Sequence, residues 1–347
     1  MEDVVDVEGL TAVWLSGTLG SEVRSVAVEQ VGTGQTAATY RLALDAPDLP
    51  SALIAKVATG DAAARERVSF GYQNEVGFYA HVAETVDVQT PRCSHAAISA
   101  DGLQFTLLLE DLTPRVPGVQ ADGCPADRAE AAVRNLAGLH APRWCDPELH
   151  HLEFLSGPTA TDEESAAFLG EVATGATEEF IERYAADLAD ADAATLRDAA
   201  AAVPAWLMAR PEPFSVVHGD YRLDNLMFGA DADDVVAVDW QTLSVGPPLR
   251  DVAYFLGTSI TTEARRADEV RLVATYHDAL VARGIEGYSA DRCFEDYRIG
   301  QLHGPLITTV GAIYSPAARS AAADEMFLAM ARRTCAAIRD LGSIALL

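Results

Sequence analysis

The sequence predicts an α+β chain in two lobes, a small β-rich amino-terminal lobe and a larger, mainly helical carboxyl-terminal lobe. Three observations carry this. At 347 residues the chain exceeds a typical single core, which favours two domains. Short runs of β-branched or alternating apolar residues crowd the first part, to about Leu112. After Thr113-Pro114 the texture turns alanine-rich, with a helical period. The lobes are therefore expected at residues 1–112 and 113–347, with a short connection near Glu110 to Pro114.

In the first lobe SVAVEQVG, ATYRLAL, ALIAKVA and LQFTLLLEDL read as strands. One helix interrupts them: Phe70 to Glu84 places Val76, Tyr79 and Val82 or Ala83 on one stripe. In the second lobe the stretches Pro125 to Trp144 and Glu164 to Leu207 are helical in period. Strand signals return only at FSVVHGDYRLDNLMFGADADDVVAVDW, expected to be one polar β-hairpin, and from Pro247 onward the chain is again mostly helical.

A net charge of -27 repels nucleic acid and anionic membrane, so neither is expected as a partner. A site for an anionic cofactor must then be locally basic. Cys93, Cys124, Cys145, Cys293 and Cys335 are odd in number and form no CxxC pair, which points away from a disulfide framework or zinc site and toward a reducing compartment. The amino terminus, MEDVVDVEGL, is acidic without an apolar core, and no apolar run reaches membrane-spanning length. The expectation is a soluble, cytoplasmic protein.

Gly32-Thr33-Gly34 with Ala37 satisfies GxGxxA, but a strand follows where a dinucleotide site needs a helix. The segment reads as a glycine turn between strands, either a plain tight turn or one whose backbone N–H groups lie over phosphates. Lys56 lies in the apolar strand LIAKVA. It either snorkels or needs an acid, because an unpaired buried ammonium is costly. Glu75, in the middle of the one helix of this lobe, is the natural partner, with Glu66 in reserve.

Asp220 and Asn225 lie on one loop, and Asp239 ends the next strand. A hard divalent cation such as Mg²⁺ takes one or two oxygens from the protein, which Asn225 and Asp239 can supply. Asp220 is left to orient an attacking hydroxyl and accept its proton. Outside these motifs, His140 in LAGLHA reads as a structural histidine, His150-His151 lack a metal-spaced partner, and Trp206 with Leu207 reads as packing.

The order of glycine hairpin, strand lysine, helix glutamate, D-x4-N loop and strand-terminal aspartate resembles the protein-kinase signature set. HGDYRLDNLMF, VDWQ, LLLEDL and GPPLRDVAYFL look like the aminoglycoside phosphotransferase family, most of all its branch similar to ecdysteroid kinases and choline-kinase-like enzymes. The match spans roughly Val31 to Leu256. The resemblance implies a bilobal protein-kinase-like fold and transfer of the γ-phosphate of ATP to a hydroxyl of a small molecule: an aminoglycoside, an amino alcohol or a steroid-like alcohol. It implies that Lys56, paired with Glu75, contacts the α- and β-phosphates, that Asp220 is the base, and that Asn225 and Asp239 hold Mg²⁺. It further implies that Gly32, Thr33, Gly34 and Gln35 cover the triphosphate. The backbone of the hinge strand Leu107 to Leu112, with Glu110 and Leu112, would hold adenine.

His218 and Asp251 are expected to brace the loop rather than touch substrate, and Arg222 either neutralises phosphate or bridges structurally. Tyr297, Gln301 and His303 fall where family members build the acceptor pocket. The hairpin lacks a third glycine and there is no APE-type segment, which argues against an activation loop and protein substrates. The rival reading is a nucleotide-binding regulatory pseudokinase without turnover; the intact Asp220 weighs against it.

Overall fold

The computed structural model of the chain describes residues 3–32, 37–155, 162–314 and 319–347. The chain divides into two compact units. The first takes Met1–Glu84, Thr90–Pro114 and Val238–Leu243; the second takes Thr85–Gln89, Arg115–Ala237 and Ser244–Leu347.

The first unit opens with helix α1, Ala12–Leu19. Thr11 caps it by accepting the Trp14 N–H at 3.2 Å, and Gly20 ends it at φ 67°, where a side chain would be strained. Strands β1 (Ser25–Gly32), β2 (Ala37–Asp45) and β3 (Ala52–Ala58) follow, then helix α2 (Ala62–Gly77) and strands β4 (Cys93–Ile98) and β5 (Phe105–Glu110). They form one sheet in the order β1-β2-β3-β5-β4, antiparallel throughout. Alternation along β3 puts Leu53, Ala55 and Val57 on the buried face. Leu53 and Ala55 pack with Leu42, Leu108 and the α1 residues Trp14 and Leu15. Lys56 is therefore carried on the opposite face.

Two elements here were not legible. Helix α1 lies in a stretch with a weak apolar stripe, and β4 has partly buried positions with no clean alternation. Helix α2 also begins well before Phe70, because Asp61 accepts the Ala64 N–H at 2.8 Å and caps it there. It runs into a π-helical turn at Phe78–Val82. Glu75 thus stands near the end of α2, not in its middle.

The second unit holds the short strand β6 (Val116–Pro117) and helices α3 (Ala126–His140), α4 (Glu163–Arg183) and α5 (Asp190–Ala209). Strands β7 (Ser215–Val217), β8 (Leu226–Phe228), β9 (Val235–Ala237) and β10 (Ser244–Gly246) come next. Helices α6 (Leu249–Ser259), α7 (Thr262–Ala282), α8 (Ala290–Gly300), α9 (His303–Tyr314) and α10 (Ala321–Leu341) complete it. The single hairpin expected from the sequence is instead two small sheets. β8 pairs with β9 and β6, whereas β7 pairs with β10. The polar run after β7 is why: it turns at Leu223–Asn225 and breaks any continuous strand. β9 ends at Ala237, so Asp239 lies past the strand and not at its last residue.

Trp206 packs with Ile299, Leu302 and Ile338, and the half-buried Leu207 lies against them. Among the described residues no helix is long and apolar enough to cross a membrane. Helices α4 and α5 meet where Pro204 sits inside α5. A Cβ at Gly170 would stand 2.6 Å from Pro204 Cγ and 2.9 Å from its Cδ. The proline ring has no rotamer by which to retreat. Gly175, on the same helix, has only the Tyr314 hydroxyl near, at 3.7 Å.

Gly170→Ala is therefore expected to destabilise the protein by ~1–3 kcal/mol through overpacking. Gly175→Ala is expected to be neutral or to stabilise by up to ~1 kcal/mol. Thermal denaturation of the two variants beside the wild type checks both signs.

Candidate active site

Two clusters of polar side chains stand out, one in each unit. In the first, Lys56 Nζ lies 2.8 Å from Glu75 Oε1 and 2.7 Å from Oε2, and donates to Asp239 Oδ1 at 3.1 Å. Of the two acids the sequence offered, Glu75 is the partner. Lys56 is also the only lysine in the chain. Burial works against its ammonium charge, but the carboxylates of Asp239 and Glu75 outweigh that and hold it protonated well above the ordinary lysine range. Glu75 is 1% exposed; burial lifts its carboxyl and the Lys56 charge draws it down, with burial the larger.

Asp239 has φ 68°, left-handed backbone that costs a non-glycine residue about 1–2 kcal/mol. Neighbouring contacts hold it there. Asn74 Nδ2 donates to the carbonyls of Gln241 at 3.0 Å and Leu243 at 2.9 Å. Trp240 stacks on Phe78 with ring centroids 3.6 Å apart and planes within 9°. The π-helical turn that presents Phe78 so fixes the segment carrying Asp239.

In the second unit the loop after β7 has its backbone polar groups engaged one by one. Asp251 accepts the N–H of His218 at 2.7 Å and of Gly219 at 2.9 Å, and the Nε2–H of His140 at 3.2 Å. His140 Nδ1 accepts the Tyr276 hydroxyl at 2.8 Å. His303 Nε2–H donates to the Gly219 carbonyl at 2.8 Å. The Asp220 N–H reaches His218 Nδ1 at 3.3 Å, and Asn225 Nδ2 donates to the Asp220 carbonyl at 2.8 Å. Gly219 has φ 80°, a backbone that admits glycine readily.

The Asp220 carboxylate is held by three donors: Tyr254 Oη at 2.7 Å on Oδ1, and Arg222 Nε at 3.2 Å and Asn225 Nδ2 at 3.1 Å on Oδ2. Its side chain keeps 22% exposure. Arg222 also bonds Asp224 at 2.6 Å and lies against the Met326 sulfur at 2.8 Å. It bridges the loop structurally and shares charge with Asp220. Burial and the Asp220 charge push the Tyr254 phenol far up, so it stays a donor. Burial alone would raise Asp251, but the bonds from His140 and Gly219 bring its carboxyl below the usual range.

Other expected site residues fall as follows. Gly32 closes β1 opposite Thr39, and Thr33, Gly34 and Gln35 lie outside the described residues. The Glu110 N–H donates to the Arg92 carbonyl at 2.9 Å, and Leu112 is buried. Tyr297 is fully buried, and its hydroxyl donates to Glu269, the acid paired with Arg265. Those are the contacts of a packing residue. Gln301 is buried with neither amide atom hydrogen-bonded, and His303 faces the loop after β7. Burial lowers the His303 imidazole below its ordinary value, so it is neutral near pH 7.

Sequence reasoning missed Tyr254, Asn74 and Phe78. Tyr254 carried a usable signal: it follows Asp251 by one helical turn, so both face the same way from α6.

Among the described residues no cluster of three His, Cys, Asp or Glu could hold a metal. The donors a magnesium-type ion needs are nonetheless of the right kind. Asn225 has its amide nitrogen engaged by Asp220, so Oδ1 is the atom of the right kind for such an ion, and Asp239 carries a carboxylate.

Residues 35–284 match the ecdysteroid kinase-like family. Acyl-CoA dehydrogenase family member 10 of Mus musculus is 45% identical over 53 residues, 14% of this chain and 5% of that protein. Family member 11 of Homo sapiens is 45% identical over 42 residues, 12% of this chain and 5% of that protein. The matched stretch is thus a small part of these relatives. Plasmodium vivax ethanolamine kinase superposes with TM-score 0.54 at 12% identity, covering 90% of this chain and 83% of that one. Choline kinase from Cryptosporidium parvum Iowa II gives 0.53 at 11%, covering 93% and 91%. A mutant of aminoglycoside 2'-phosphotransferase-IIIa complexed with GDP gives 0.53 at 14%, covering 86% and 88%. At such identities the likeness is one of fold, and that fold is protein-kinase-like.

Asp251→Asn keeps the shape but sets an amide N–H against backbone donors. A loss of ~2–4 kcal/mol is expected above pH 5. The Asp251 carboxyl is depressed in the folded state, so its contribution is present above the unfolded value near ~3.9 and is lost as pH falls through the folded one. The gap between variant and wild type should narrow below about pH 4. Denaturant titrations at a series of pH values measure it.

Proposed function

The chain belongs to the ecdysteroid kinase-like family, and on that premise we propose that it transfers the γ-phosphate of ATP to a hydroxyl of a small molecule. The observation that carries the reading is the Asp220 carboxylate, fixed by Tyr254, Arg222 and Asn225 yet 22% exposed. A carboxylate so held keeps lone pairs for an incoming hydroxyl while its orientation is set beforehand. Asp220 aligns the acceptor oxygen with the γ-phosphorus and takes its proton. The new P–O bond forms as the bond to the bridging oxygen of ADP breaks.

Lys56 contacts the α- and β-phosphates, with Glu75 keeping it charged and aimed. The glycine turn at Gly32 to Gln35 covers the triphosphate, and the carbonyl of Glu110 with the backbone of Leu112 binds adenine. Asn225 and Asp239 would hold Mg²⁺, which when bound neutralises phosphate charge. Arg222 stabilises the negative charge of Asp220 before transfer. The acceptor is an uncommitted small alcohol, drawn from the aminoglycosides, amino alcohols and steroid-like alcohols. The Met326 sulfur beside Arg222 supplies one apolar contact next to the base.

A coupled ADP-release screen over those three alcohol classes tests the reading. ADP should accumulate only with an acceptor, and Asp220→Asn should slow transfer by about 10²–10⁴-fold with ATP affinity changed only a few-fold. Nucleotide binding with no alcohol-dependent ADP release would favour the regulatory reading without turnover.

A double-mutant cycle addresses the first cluster. Lys56→Ala should impair nucleotide binding and turnover more than Glu75→Ala, and the double variant should be little worse than Lys56→Ala. Additive losses would remove Glu75 from the role of orienting acid.

A further inference from the structure

We propose that the pocket around Arg250 is a binding site for a small oxyanion with an apolar body, outside the residues assigned to phosphotransfer. Arg250 lies in the first turn of α6 and shares a concavity with Trp206, Pro213, Pro247, Pro248 and Ile299. Its guanidinium carbon sits 4.3 Å over the Trp206 ring. Among the described residues its guanidinium N–H groups make no hydrogen bond and no ion pair, while its backbone N–H donates to the Pro247 carbonyl at 3.0 Å. Arg250 is half-buried, the one residue of α6 not wholly enclosed, and its charge meets no carboxylate on the protein side.

The neighbouring charges are accounted for. Asp251 is turned inward to His140, His218 and Gly219. Asp296 is held by Arg292 at 2.9 Å and by the Tyr288 hydroxyl at 3.0 Å. Arg210 is paired with Glu295 at 3.0 Å. Burial draws the Arg250 guanidinium down to about 10, with Asp251 opposing only in part. A single anion would relieve that cost.

The chemistry of the ligand follows from the walls. A guanidinium with one face on an indole presents its donor edge in the plane, which suits two oxygens of a carboxylate or phosphate. The positive end of α6 adds to the attraction. Proline, isoleucine and tryptophan suit an aliphatic body. Among the described residues, the only acid lining the concavity without a bonded partner is the exposed Glu212.

The test is thermal denaturation of the full chain in hexanoate or hexyl phosphate, with sodium chloride at matched ionic strength as control. The wild type should show a saturable rise of about 2–4 °C. Lys56→Ala should show the same rise, and Arg250→Gln none. The arm with the lower midpoint identifies the headgroup. If Arg250→Gln does not fold, Arg250→Lys keeps the charge without the fork and should bind more weakly.

The proposal is overturned by the absence of a saturable rise, by an equal rise in Arg250→Gln, by an equal midpoint in Arg250→Lys, or by loss of the rise in Lys56→Ala. It is also overturned if Glu212→Gln lowers the melting temperature as far as Arg250→Gln, since Glu212 would then be the partner. None of these outcomes depends on phosphotransfer.

Discussion

The carboxylate of Asp251 is wholly buried, and its oxygens accept from two consecutive peptide N–H groups and an imidazole. A loop that turns as sharply as His218 to Asp220 cannot satisfy its own backbone donors. Left unpaired in the interior they would oppose the turn. Asp251 satisfies both, and so dictates where Gly219 must be and which way Asp220 must leave the chain. Tyr254, one turn further along α6, then takes one oxygen of Asp220 itself. A single helix, buried along almost its whole length, thereby sets both the backbone and the side chain of the proposed base. Precision is inherited from a rigid element rather than from the loop.

The first unit solves the inverse problem. Here an ammonium must be kept charged on a sheet face, and carboxylates do it. β3 is paired on both sides, by β2 and β5, so Lys56 is rooted in a strand that cannot drift. Glu75 comes from a helix end and Asp239 from a strained segment held by Asn74 and the Phe78–Trp240 stack. The strain at Asp239 persists because its neighbours over-determine it. Two opposite charges from separate elements thus converge on Lys56.

Much of this was readable in the sequence, for definable reasons. The strands β1, β2, β3 and β5 announce themselves by alternation, and Lys56 is conspicuous as the one charge in an apolar run. The HGDYRLDN segment is conspicuous as polarity where a core strand would be expected. Strand pairing was not readable. β7 and β9 look alike in sequence, and only the tertiary fold assigns one to β10 and the other to β8. α1 and β4 lack periodic contrast, and the start of α2 depended on a cap, Asp61, in a stretch without apolar pattern. The burial of Tyr297 against Glu269 is likewise a matter of long-range packing that local pattern does not encode.

The rarity of lysine has a chemical corollary. Every other strongly basic side chain is arginine, so Nζ of Lys56 is the only side-chain primary amine in the molecule. Acylating and reductive alkylating reagents require the unprotonated amine, and here the two carboxylates keep it protonated and enclosed. A lysine-specific protease likewise has one side chain to recognise, and the bond after it, Lys56–Val57, is in the middle of a strand paired on both edges. Cleavage at that residue therefore demands that the β3 pairing open, and labelling demands that its two ion pairs release. The molecule carries its own single-point gauge of whether the sheet is intact.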